Sequence, residues 1–137
     1  MIDFLEDSAD QELKRADHLI YVTLKYTRTT DVIKNIIKRL ISACDYAVID
    51  ALTKLNVKPS ANARVRLKQL IEKKPKDFKN EVELYYLLKR LDSLPYKSKE
   101  EYRKNVALLV EDMEIDIVKL KEFFEKTKHF VEKVAAL

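Results

Sequence analysis

The chain has 137 residues, 36% of them charged, with three prolines, one cysteine, no glycine and a formal net charge of +4. That is the length of one domain, able to bury roughly two-thirds of its unfolded surface. Tight hairpins, phosphate-cradling loops and dinucleotide-binding turns lean on glycine for positive φ, so its absence counts against sheets and nucleotide chemistry. A lone cysteine excludes a disulfide framework and a thiolate zinc cluster, and no apolar run approaches the ~18–20 residues of a membrane span. The expectation is a soluble, cytoplasmic, all-α protein, one domain over residues 1–137, without a cofactor.

The first helix is predicted over 8–26. Leu13, Ala16, Ile20 and Leu24 mark its buried face, with Ala9 and Tyr21 beside them. Ahead of it, Ile2, Phe4 and Leu5 suit a short arm packed back on the bundle. The threonine-rich stretch 25–31 breaks the helix. Thr29 or Thr30 can cap the next one, and Asp31 complements its dipole. So short a connection makes the two helices antiparallel neighbours and presents Tyr26 and Arg28 at the hairpin tip, residue types that suit a recognition surface.

The stretch 30–55 is the one around which the others are organised. Val32, Ile33, Ile36, Ile37, Leu40, Ile41, Cys44, Ala47, Val48, Ala51, Leu52 and Leu55 recur at spacings of three and four. An apolar face that broad needs cover from several sides, which places this helix centrally. Pro59 then interrupts, and a shorter helix follows over 61–74 with Val65, Leu67, Leu70 and Ile71. Pro75 ends it, and another runs over 78–91 with Val82, Tyr85, Leu88 and Leu91 on one face, Leu84 and Leu87 beside them.

A capping box, Ser98 with Glu101, is expected to open the last helix, which no proline or glycine interrupts before Leu137. Tyr102, Val106, Leu109, Met113, Ile117, Leu120, Phe124, Val131 and Val134 keep near-heptad spacing. Unbroken, that helix would span ~55 Å against ~39 Å for the central one. The excess, ending in Phe123, Phe124 and Phe130, predicts a homodimer. The fold expected is therefore an antiparallel up-and-down bundle of four to five helices with a long C-terminal helix.

Among candidate sites, residues 58–79 hold Lys58, Arg64, Arg66, Lys68, Lys73, Lys74, Lys76 and Lys79 against Glu72 and Asp77. Basicity this localised attracts phosphate backbones or an acidic partner. Arg64 and Lys68 lie one helical turn apart, as a backbone contact requires. Phe78 is the only aromatic residue in the stretch, so base stacking has little support there. A metal-dependent ribonuclease using Asp17, Asp112 and Asp116 is the rival reading, with Asp112 and Asp116 one helical turn apart in the acidic run Glu111, Asp112, Glu114 and Asp116. A solvated acidic face is the plainer account. His18 and His129 lack the Glu-x-x-His context of a di-iron bundle, so no metal site is assigned, and Cys44 reads as a small core residue. A third reading is a structural coiled-coil adaptor built on the phenylalanine-rich end.

Two long antiparallel helices, a basic shorter pair and a closing helix resemble the prokaryotic HEPN bundles. The run at 16–41, ADHLIYVTLKYTRTTDVIKNIIKRLI, is also similar to small archaeal helical proteins with no established chemistry. The HEPN resemblance implies frequent homodimers and either RNA cleavage or a non-catalytic partnership with a minimal nucleotidyltransferase-like protein. The cleaving branch has an arginine, then four to six residues, then a histidine. Neither His18 nor His129 is so preceded and Arg103 has no histidine in reach, so no catalytic residue carries over. The expectation is a non-catalytic binding module that contacts a protein partner or RNA through the basic surface Arg64, Arg66, Lys68, Lys73, Lys74 and Lys76 and through the tip, Tyr26 and Arg28.

Overall fold

The computed structural model describes residues 8–137; the expected arm of Ile2, Phe4 and Leu5 lies outside the described residues. Helix α1 comprises Ala9–His18, a π-helical turn at Leu19–Thr23 and a last α-turn at Leu24–Tyr26. Ser8 starts it by accepting from the Gln11 amide. Helix α2, Thr30–Lys54, is capped by the Thr29 hydroxyl, which accepts from the Val32 amide. Thirteen of its 25 residues are buried, and α1, the later helices and the sheet all pack on it. The central role predicted from its apolar face is what the structure shows.

Helix α3, Ala63–Lys73, begins at the Asn62 cap, and α4 runs over Lys79–Ser93. Polar contacts fix how the long helices lie. Buried Glu12 of α1 receives Arg39 of α2 at 3.3 Å. Lys34, near the start of α2, pairs with Asp92 at the end of α4 at 3.2 Å. Lys133, near the chain end, reaches Glu81 at the start of α4 at 3.4 Å, and Lys54 donates to the carbonyls of Val134 and Ala135. Helix α4 therefore runs against both α2 and the last helix.

The long C-terminal helix is not formed. Residues 97–115 make an antiparallel three-stranded sheet, β1 Lys97–Lys99, β2 Ala107–Val110 and β3 Met113–Ile115, in the order β1-β2-β3. Helix α5 starts only at Ile117 and ends at Ala135, about 28 Å by its rise. The chain is mostly helical but not all-α. The reason lies in two periods that coincide. Val106, Leu109 and Met113 fit a helix, yet Val106, Leu108 and Val110 alternate like a strand, and the latter three are buried. Asp116 then restarts the helix by accepting from the Lys119 amide at 3.0 Å.

Lack of glycine did not prevent the hairpin. Val110 pairs with Met113 across two residues, and the first of them, Glu111, takes φ 54°. Glu100 and Tyr102 also have positive φ, at roughly 1–2 kcal/mol each for an L-residue, as does Asn56 after α2, a residue type that tolerates it. Burial of Leu108, Val110 and Ile115 beneath the sheet offsets that cost.

The Ser98/Glu101 box caps a helix, but not the one expected. Glu101 Oε2 accepts from the Thr30 amide at 3.2 Å across 71 residues of sequence, and the Ser98 hydroxyl lies 2.8 Å from that of Thr30. Glu101 thereby supplements Thr29 at the start of α2. Glu101→Ala is expected to lower stability by about 1 kcal/mol, seen as a fall in the urea midpoint at constant slope. An unchanged midpoint would show this bond to be idle.

The phenylalanines expected at a dimer surface lie in the core instead. Phe123, Phe124 and Phe130 are buried, and Phe130 meets Phe78 with ring centroids 5.9 Å apart. With no overhanging helix and no exposed phenylalanine end, the grounds for that dimer and for a coiled-coil adaptor are gone. Among the described residues no helix is long and apolar enough to cross a membrane.

Candidate functional site

Leu67 and Leu70 hold α3 against the bundle. Arg66 joins them rather than the surface. Its guanidinium donates to the Ser60 carbonyl at 2.9 Å and lies 3.8 Å from Asp45 of α2. Asp45 also holds the buried Tyr85 phenol of α4, whose pKa is raised by burial first and then by the Asp45 charge and hydrogen bond. Arg66, Asp45 and Tyr85 thus tie three helices together, and Arg66 belongs to the scaffold rather than to the binding face expected of it.

The other basic residues divide by exposure. Lys58, Arg64, Lys68, Lys73, Lys76 and Lys79 are exposed and Lys74 is half-buried. Among the described residues no salt bridge engages Arg64, Lys68, Lys73, Lys74 or Lys76. Lys68 borders a groove of about 290 Å³ between α3 and α4, lined also by Leu67, Ile71, Glu72, Val82 and Tyr86. Tyr86 is 46% exposed and stands edge-on to Tyr85, centroids 6.2 Å apart. An aromatic ring therefore does flank the basic face, contributed by the neighbouring helix. The signal was the Tyr85-Tyr86 doublet. Consecutive helix residues point about 100° apart, so burying the first turns the second outward.

The tip survives as a surface and is larger than expected. Tyr26 is 80% exposed, and Arg28, half-buried, offers its carbonyl to the Tyr102 amide at 2.6 Å. That bond docks the turn after β1 onto the α1–α2 loop and brings up Tyr102, itself 78% exposed, with Arg103 and Lys104. Sequence reasoning missed these three because it placed them on a helix. Tyr21, expected beside the buried face, is 45% exposed and lies under the Lys121 ammonium, 5.0 Å from the ring centre. The π turn that contains it alters the helical register there.

The acidic candidates do not assemble. Asp112 sits exposed in the β2–β3 turn and Asp116 spends its carboxylate on the α5 cap, so the two are not a helical turn apart. Asp17 is exposed on α1, in a groove with Lys14, Phe124 and Lys128. Glu111 pairs with Arg90 at 2.6 Å and Glu114 with Lys99 at 2.7 Å. Among the described residues no three His, Cys, Asp or Glu side chains are placed to hold a metal ion, so Asp17, Asp112 and Asp116 do not form the shared cluster that the nuclease reading requires. His18 and His129 are exposed. Cys44 is buried and its thiol is pushed up to about 12 by burial, a neighbouring Thr127 hydroxyl opposing the shift and Asp45 adding to it. A thiol held protonated is no nucleophile at neutral pH.

Comparison with known proteins returns no family model, no curated relative and no solved structure that matches the chain.

Proposed function

We propose that this protein is a non-catalytic binding module, HEPN-like in its helical frame, that contacts RNA through the exposed face of α3. The observation that carries this reading is the pair Arg64 and Lys68, exposed one helical turn apart and outside every salt bridge of the described residues, with Lys68 on the rim of the Tyr86 groove. Two cations roughly 6 Å apart along a helix match successive phosphates better than a single acidic side chain. Within 58–79, eight basic residues stand against two acidic ones, and Arg66 is the basic residue withdrawn into the scaffold. Lys73 and Lys76 extend the positive field around the end of α3 and into the loop beyond it.

Fluorescence anisotropy with a labelled RNA oligonucleotide at several salt concentrations tests the reading. Binding should weaken steeply with salt. The double variant Arg64→Glu, Lys68→Glu should weaken it for every sequence alike and reduce the salt slope by about 2, one for each phosphate no longer neutralised. Binding that ignores salt, or that the double variant leaves intact, overturns the proposal. A nucleotidyltransferase-like protein partner, the other class the resemblance implies, has no specific feature of the surface in its favour.

A further inference from the structure

We propose that the tip joining residues 26–28 to the turn at 100–104 is a stacking site for unpaired bases of an RNA strand. This deepens the reading above and rests on its choice of RNA as the partner. It is carried by different residues, on different elements, from the α3 face.

Tyr26 and Tyr102 are the two most exposed large apolar side chains of the described protein, at 80% and 78%. They come from segments more than 70 positions apart, joined here by the Tyr102 amide bond to the Arg28 carbonyl. The chain accepts strain to present the second of them. Tyr102 sits at φ 68° and Glu100 at φ 50°, a region unfavourable for a bulky residue. Its side chain gains almost no burial there. Three hydrogen bonds hold the turn in place: Tyr102 N–H on Arg28, Arg103 N–H on the Glu100 carbonyl at 3.1 Å, and the Thr30 amide on Glu101. Strain kept by several bonds around an outward aromatic ring marks a functional surface rather than a connector. The π turn at Leu19–Thr23, a feature that recurs at functional sites, lies just before Tyr26 in the same element.

The surrounding charge selects the partner. Lys25, Arg28, Arg103 and Lys104 lie within two residues of the two tyrosines in sequence; of the acids equally close or at the start of α2, Glu101 is engaged with Thr30, leaving Glu100 and Asp31. Exposed rings among cations are the combination that grips a single strand, bases stacked on the rings and phosphates on the cations. A paired A-form helix hides its bases in a deep, narrow groove that such rings cannot enter. The site should therefore discriminate single-stranded from duplex RNA.

The experiment compares binding of an oligouridine of about twelve nucleotides, a length within single-strand site sizes, with a blunt RNA duplex. Tyr26→Ala and Tyr102→Ala alter exposed side chains and leave the core intact. Each should weaken oligouridine binding about tenfold, the scale of one stack removed, without affecting the duplex. Tyr26→Phe and Tyr102→Phe should bind as the parent does, since a phenyl ring stacks equally well. Alanine variants that bind oligouridine normally while Arg64→Glu, Lys68→Glu weakens it overturn the stacking site and leave the α3 reading standing; the tyrosines then face a protein. Loss in the alanine variants with none in the charge reversal supports the stacking site and overturns the α3 contact. Phenylalanine variants as weak as alanine overturn stacking. A parent protein that binds neither RNA at low salt overturns both.

Discussion

A chain ended after Leu120 is expected to lose its cooperative fold. The deletion removes Phe123, Phe124, Thr127, Phe130 and Val134, all buried against the rest of the bundle. Truncating one buried phenylalanine to alanine costs about 3–5 kcal/mol. Three such side chains together exceed much of the roughly 5–15 kcal/mol by which a typical domain is stable. Lys54 would also lose its carbonyl partners on Val134 and Ala135, and Glu81 its partner Lys133. Far-UV circular dichroism should show a large loss of helix with no sharp urea transition. Phe130→Ala gives the graded version. It leaves Phe78 facing a void and should lower the urea midpoint by an amount corresponding to about 3–5 kcal/mol at unchanged slope. A truncated chain that still unfolds in one sharp step would mean that α5 lies on a separately folded core rather than within it.

Alkaline pH is expected to destabilise the protein through Cys44. Its thiol ionises near 9.0 when unfolded and at about 12 in the fold, because burial disfavours the thiolate. Below pH 9 both states keep the proton and stability does not depend on this group. Between 9 and 12 the unfolded chain has lost the proton and the folded one retains it. Ionisation then favours unfolding, and stability falls as pH rises, by about 1.4 kcal/mol per pH unit. The loss approaches ~4 kcal/mol by pH 12, a large part of a domain's margin. Tyr85, whose phenol is also raised by burial, adds a loss of the same sign that begins near pH 10. Urea midpoints measured from pH 8 to 11 separate the two. Cys44→Ala should abolish the decline between pH 9 and 10 and leave the later one, which Tyr85→Phe should reduce. Parallel declines for parent and Cys44→Ala from pH 8 to 10 would show that the thiol is not the cause.

Much of the helical frame could be read from the chain. The stretch 30–55 was expected as the central helix, and α2 is Thr30–Lys54. Of the apolar residues its spacing picks out, Val32 through Leu52 are buried and Leu55 is half-exposed. Thr29 caps α2 and α1 starts at Ser8, as expected, and Tyr85, Leu88 and Leu91 are buried on α4 with Leu84, while Val82 is half-buried. These features depend on residues within a turn or two of each other, which is why local spacing suffices. Where the reading failed, local spacing was ambiguous or silent. Val65, placed with the apolar residues of α3, is 42% exposed, and nothing in the sequence marks the π turn that goes with an exposed Tyr21.

Candidate sites followed the same division. Tyr26 and Arg28 were legible as a tip because a short threonine-rich loop between two amphipathic helices has to turn there. Arg66 looked like its basic neighbours, and only the position of Asp45 on another helix withdrew it from the surface. Tyr102 could not be assigned to the tip, since its partner Arg28 is remote in sequence.

By itself, then, the sequence determined a helical protein centred on one broad-faced helix, since apolar residues at helical spacing must find cover wherever the chain goes. Only the tertiary structure decided that 97–115 is a sheet, that Glu101 caps α2, and that the turn carrying Tyr102 docks on the loop that follows Tyr26. In that region strand and helix periods overlap. What separates them is burial under the sheet and hydrogen bonds to residues about seventy positions away, and no local pattern contains either.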